Sequence, residues 1–266
     1  MKNITLILLC CLILLPLKIQ ATAQISDLLI VGKDTVALYS LPLEVYLEKH
    51  NISSDIFRED GFSTGCARQY RAVWEIRNDS LFLIDLLSCV SDTGKIPFSV
   101  VFGKHNSGGP EFASWLVSDT LWAEVGNQVF YEHVGFGWYY DKEVAYHIVN
   151  GIVKDTTIYN YKDKIYISEL DKDDFHRRNF LCDSINWNEL PVPEKEIKIL
   201  VSLRNNECKI VKTPNGTGKV YINEALRVVR SLRTTVMYQH GARIDFGYFI
   251  PVIFSKEFKD DCRSKR

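Results

Sequence analysis

Residues 224–233 read Glu224-Ala225-Leu226-Arg227-Val228-Val229-Arg230-Ser231-Leu232-Arg233, and an alternating run follows at 244–254. Ala225, Val228, Val229 and Leu232 fall at i, i+3, i+4 and i+7, while Glu224, Arg227, Arg230 and Arg233 take the other side. That spacing predicts a short amphipathic helix. In the run, Ile244, Phe246, Tyr248, Ile250, Val252 and Phe254 point one way at period 2, with Phe249, Pro251 and Ile253 opposite, which predicts one long strand. A helix that must bury one stripe, followed by a strand, predicts a small helix-on-sheet module.

Upstream, Ile197, Ile199, Val201 and Leu203 alternate with Lys198, Leu200 and Ser202. Asn205-Asn206 offers a turn and residues 208–212 return, so the module has the order β-β-α-β and occupies residues 191–262. Pro191-Val192-Pro193 forms a short stiff joint at its start. Residues 167–190 read as a connecting helix and linker, with Asp171, Asp173 and Asp174 early and Arg177 and Arg178 late, as the helix dipole favours.

Residues 24–166 read as a β-rich antiparallel meander, which makes the chain α+β as a whole. Short strands are predicted at 27–32 and 35–39, and a helix at 41–50 has Pro42 in its first turn. Residues 70–76 and 81–87 form a hairpin about Asn78-Asp79-Ser80. Residues 98–103 and 114–117 read as strands. Residues 121–125 and 128–134 are expected to pair about a two-residue turn at Gly126-Asn127, and 143–149 and 152–159 about Asn150-Gly151. The aromatic cluster Phe136, Trp138, Tyr139 and Tyr140 is read as packing within this domain.

The first 23 residues carry Lys2, an apolar run over 4–17 and the small-x-small ending Ala21-Thr22-Ala23, the pattern of a secretory signal peptide cleaved after Ala23. The run is interrupted by Pro16 and Lys18 and falls short of the roughly 20 apolar residues that span a bilayer. The expected location is therefore the periplasm or another part of the cell envelope. Loss of Lys2 and Lys18 takes the formal net charge from −1 to −3, so there is no basic field to gather nucleic acid.

Five cysteines remain beyond the leader, so at least one thiol stays unpaired within a monomer. Cys66 and Cys89 flank the 70–87 hairpin and are the disulfide candidate, which requires Cα atoms within about 7 Å. No Cys-x-x-Cys, His-x-x-x-His or His-Glu-x-x-His spacing occurs, so neither metal nor cofactor is expected. Gly61-Phe62-Ser63-Thr64-Gly65 matches the nucleophile elbow of α/β-hydrolases, but a strand is predicted after it where a helix is required. Gly216-Thr217-Gly218-Lys219 lacks both the first glycine and the magnesium-holding hydroxyl of a phosphate loop.

The C-terminal module resembles the TonB C-terminal domain family. The resemblance is carried by the 197–212 hairpin, the helix 224–232, Gly241 and the ending Tyr248-Phe249-Ile250-Pro251-Val252-Ile253-Phe254. It implies a domain that binds peptide segments of outer-membrane proteins by adding a strand to its sheet. Tyr248, Ile250, Val252, Phe254, Arg227 and Arg230 are the partner-binding residues this implies. The cleavable leader and the absence of a proline-rich spacer remove the membrane anchor that energy transduction needs. The expectation is a non-enzymatic, exported, protein-binding protein. Its alternatives are a secreted serine hydrolase using Ser63 and a self-associating envelope protein, a homodimer through the same edge.

Overall fold

The computed structural model describes residues 22–58, 63–90, 94–103, 109–172, 174–205 and 207–264. The leader up to Ala21, and Gly61 and Phe62 of the elbow match, lie outside them. The protein is mixed sheet and helix with a large, mainly antiparallel sheet. Among the described residues no helix is long and apolar enough to cross a membrane. Two compact units divide the chain, one reaching to Ile158 and the other beginning at Tyr159.

The first unit contains β1 (Asp27–Val31), β2 (Asp34–Leu38), α1 (Pro42–Lys49), a 3-10 turn (Ser54–Phe57), β3 (Tyr70–Arg77) and β4 (Ser80–Ser88). Then come α2 (Ser99–Phe102), β5 (Glu111–Phe112), β6 (Asp119–Tyr131), β7 (Trp138–Val149) and β8 (Ile152–Asn160). The strands lie in the order β3-β1-β2-β6-β7-β8-β4-β5, and β3 also pairs with β4. The row therefore returns on itself: seven strands form a ring, with β5 attached to β4 outside it. Closure is how a β-structure removes its free edges.

Among the described residues β1 and β3 run parallel, where a simple meander would be antiparallel throughout. Their junction is fixed by buried Asp27, which accepts from Trp74 Nε1 and Arg68 Nη1 at 3.1 Å each and from the Ala72 N–H at 3.2 Å. Leu29, Leu38, Tyr70, Trp74, Leu81, Leu83 and Leu121 form the core with Leu43 and Leu47 of α1. A bulge between Val73 and Trp74 shifts the β3–β4 register, which lets Leu83 and Leu86 both turn inward despite their odd spacing.

Three expected elements differ. Within residues 98–103, Ser99–Phe102 are helical, because Phe98 and Val101 bury at i, i+3 and Gly103, at φ +68°, ends the turn; a short apolar run does not discriminate helix from strand by itself. Residues 114–117 are turns, with the Leu116 N–H bonded to Ala113 O. Gly126-Asn127 is an irregularity inside β6 and makes no hairpin turn: Gly126 takes φ +87° and the Asn127 N–H donates to Asp141 Oδ1 at 2.9 Å.

The Asn150-Gly151 turn forms as read, with φ +51° and +78°, the left-handed pair a tight hairpin needs. A Cβ on Gly151 would sit 2.8 Å from Ala113 O, whereas one on Gly103, also at positive φ, would meet nothing within 4 Å. Gly103→Ala, at φ +68° and ψ −164° where essentially only glycine is at ease, is expected to cost about 1–3 kcal/mol from its backbone conformation alone. Gly151→Ala adds a backbone clash and is expected to cost roughly 2–4 kcal/mol. Urea unfolding of the two variants compares them directly; equal midpoints would refute the steric part.

The second unit contains a 3-10 turn (Glu169–Asp171), α3 (Asp174–Ser184), β9 (Ile197–Arg204), β10 (Glu207–Lys212) and α4 (Lys219–Arg230). β11 (Val236–Gln239), β12 (Ala242–Asp245), β13 (Tyr248–Phe254) and α5 (Lys256–Ser264) follow. The sheet has the order β10-β9-β13, fully antiparallel, and β11–β12 is a separate hairpin. The alternation of β9 and β13 aims Ile199, Val201, Leu203, Ile250, Val252 and Phe254 at Ala225, Val228 and Val229 of α4. Burying each of the larger side chains contributes about 1.5–3 kcal/mol before conformational entropy is counted.

The helix begins earlier than the apolar stripe announced, because Gly218 caps it and Tyr221 extends the stripe one turn toward the N-terminus. The run at 244–254 is broken: Ile244 belongs to β12, paired with Met237, and the alternation holds only from Tyr248 onward. Leu181, Ile185 and Leu190 join this core, so the segment read as a connector is part of the unit, which begins at Tyr159 and not at Pro191. Cys66 is bonded to Cys89, Cα atoms 6.2 Å apart, and Cys182 to Cys262, Cα atoms 5.2 Å apart. The fifth, Cys208 on β10, is a thiol.

Candidate functional site

Among the described residues only β9 pairs with β13, so the other side of β13 is an open sheet edge. Residues of an antiparallel strand alternate between exchanging both backbone bonds with the neighbour and turning them away. Pro251, opposite Leu200, has no N–H to exchange and falls in the class turned away, with Phe249 and Ile253. The edge thus offers two donors and three acceptors. The same residues occupy the face away from α4: Phe249 is 70% exposed, and Pro251 and Ile253 are half-buried.

Pro251 and Ile253 form one wall of a groove of about 800 Å³. Arg177, Arg178 and Leu181 of α3, Glu257, Phe258, Asp260 and Asp261 of α5, and Glu196 before β9 line the same groove. The Cys182–Cys262 bond joins α3 to α5, and Arg178 reinforces it by pairing with Asp261 and lying 5.7 Å from the centre of the Phe258 ring. Arg177 spends its guanidinium on Leu170 O, through Nε at 3.1 Å and Nη2 at 2.7 Å.

The expected partner-binding side chains do not gather here. Ile250, Val252 and Phe254 are in the core beneath α4, so what the strand presents outward is its backbone and the opposite side chains. Tyr248 is tied internally: its hydroxyl donates to Asp171, which also accepts from Thr235 Oγ1 at 2.5 Å, and the same Tyr248 hydroxyl accepts from the Thr235 N–H at 3.1 Å. Burial, then the Asp171 bond, raises its pKa. Arg227 is engaged by Glu224 at 2.7 Å and by Ser184 O, which holds the Glu224 carboxyl below its ordinary range. Arg230 is exposed on α4, where its charge partly offsets the burial that pushes the Cys208 thiol up.

Sequence reading missed α5 and the Cys182–Cys262 bond. The signal available was modest: Glu257 in the first turn, Arg263 in the last, and Phe258 with Cys262 at i, i+4. Ser63 lies in a loop whose carbonyl receives the Cys66 N–H, and the next element is the strand β3, not the helix of a nucleophile elbow.

The first unit buries a pair of carboxyls. Glu124 and Glu143 face each other across β6–β7 and are 3% and 1% exposed. Burial, followed by the neighbouring Glu143 charge and hydrogen bond, pushes Glu124 up to about 10. Two carboxyls in one dry place retain a proton at neutral pH. Tyr39 beside them, its hydroxyl bonded to Trp138 O at 2.8 Å, is also raised, by burial first and Glu124 second.

Comparison with protein-family models, curated proteins and solved structures returns no match.

Proposed function

We propose that this chain is an exported cell-envelope protein that binds a protein partner by adding a strand of that partner to β13. The reading has no catalytic step and no energy-transducing role. The observation that supports it is the open edge of β13, with its unpaired donors and acceptors, beside a groove of about 800 Å³. An exposed edge is a template that other proteins blunt or cover, and backbone pairing supplies affinity while alternate side chains supply specificity. The sequence supports the same reading through the TonB-like pattern of helix and final strand. A segment of an outer-membrane protein is the partner that resemblance favours.

Ile253→Pro removes an outward donor while leaving the inward pairs of Val252 and Phe254 in place. Proximity labelling in envelope fractions is expected to lose its principal partner with this variant, provided its circular dichroism matches the parent. An unchanged set of partners would exclude strand addition. Light scattering of the full chain at two concentrations separates a second copy from a different partner: a concentration-dependent mass would favour the homodimer.

A further inference from the structure

We infer that the segment received beside β13 is cationic, with lysine or arginine placed one or two alternate positions beyond an apolar side chain. This rests on the strand-addition reading and adds the chemistry of the partner. The apolar part of the groove is Leu181, Pro251, Ile253 and Phe258. Its two cations are already engaged, Arg177 on Leu170 O and Arg178 on Asp261. The carboxylates of Glu196, Glu257 and Asp260 form no ion pair among the described residues and line the same space.

The placement of these acids follows from the topology. Glu196 precedes β9, whose first residue Ile197 faces Phe254 at the end of β13, and Glu257 and Asp260 sit on the helix that begins two residues later. All three therefore mark the C-terminal end of β13, while the apolar surface lies along Pro251 and Ile253. An added strand repeats its side chains on one face every two residues, about 6.6–6.8 Å apart. A strand with an apolar residue over Pro251 then brings its next same-face residues to the acids. Charges at such a rim set partner choice and association rate more than tightness. The groove volume falls within the range of sites that take a few side chains, which suits a peptide segment.

The test uses the full chain and three fluorescein-labelled peptides, each also made in reverse sequence order so that a strand adding in either direction brings its charge to the acids, at about 50 mM salt, where surface charges are screened weakly. SVSVSKSK carries Val and Lys on one face, SVSVSESE reverses the charge, and a third copies the first with alternate backbone nitrogens methylated. SVSVSKSK is expected to bind at least tenfold tighter than SVSVSESE, with the difference shrinking at higher salt. Glu257→Gln with Asp260→Gln is expected to weaken it about fivefold, and Glu196→Gln, outside α5, should weaken it independently. Equal binding of the two charge forms, or indifference to all three acid variants, would overturn the cationic assignment while leaving strand addition intact. Unreduced binding of the methylated peptide, or of SVSVSKSK to Ile253→Pro, would overturn strand addition itself. Absence of binding by every peptide at millimolar concentration would overturn both.

Discussion

Glu124→Gln is expected to stabilise the first unit at neutral pH, an unusual outcome for a substitution at a position only 3% exposed. Glu124 stands in direct cross-strand register with Glu143, and burial with that neighbour pushes its pKa up to about 10. A carboxyl whose folded pKa lies above its unfolded value holds a proton in the native state that the unfolded chain releases. Its contribution is fully present below about pH 4.5 and is lost as pH rises through that value toward 10. Between pH 5 and pH 7 the loss is on the order of 2–3 kcal/mol. Glutamine keeps the shape and the donor toward Glu143 but has no proton to lose. The variant's midpoint at pH 7 is expected to exceed the parent's by about 5–10 °C. Near pH 4 the two should coincide. Differential scanning calorimetry across pH 4–8 measures this; parallel curves would mean that Glu124 is charged in the folded protein.

That pair was hidden in the sequence for a traceable reason. With a hairpin turn at Gly126-Asn127, Glu124 would face residue 129, and the two glutamates would never meet. The bulge carries β6 through to Tyr131, and only then does Glu124 reach Glu143. Composition allowed both outcomes, because glycine at positive φ serves a turn and a bulge alike. By contrast, the α4 stripe and the alternation of β9 and β13 were legible, since each element must bury one face and its period reports which. The groove lay between these extremes. Its β13 wall is periodic, but its other walls, α3 and α5, are polar helices joined by a disulfide across 80 residues of sequence. Apolar periodicity does not reveal such a pairing. The final strand is readable as an edge through Pro251, while Ile250, Val252 and Phe254 belong to its own core.

Val229→Asp is expected to unfold the second unit. Val229 is fully buried in the apolar core of the second unit, with Ala225, Val228 and Leu232 of the same stripe. An aspartate there either stays charged without a partner or takes up a proton, and both cost more than about 4 kcal/mol when the lost packing is included. That is comparable to the stability of a small domain, about 5–15 kcal/mol in all. Val229→Ala, which removes volume without adding charge, should cost only about 1–3 kcal/mol and leave the unit folded. Val220→Asp supplies the control on the same helix: Val220 is 41% exposed in the first turn, where a negative charge suits the dipole, so the change should lie within about 0.5 kcal/mol. Limited proteolysis is expected to open residues 197–254 in Val229→Asp alone. Because the buried aspartate's pKa would be raised, protection should recover partly toward pH 4 and vanish as pH rises. Protection equal to the parent's at pH 8 would mean that α4 does not pack on β9 and β13. The open edge of β13 would then lose the support on which the strand-addition proposal depends.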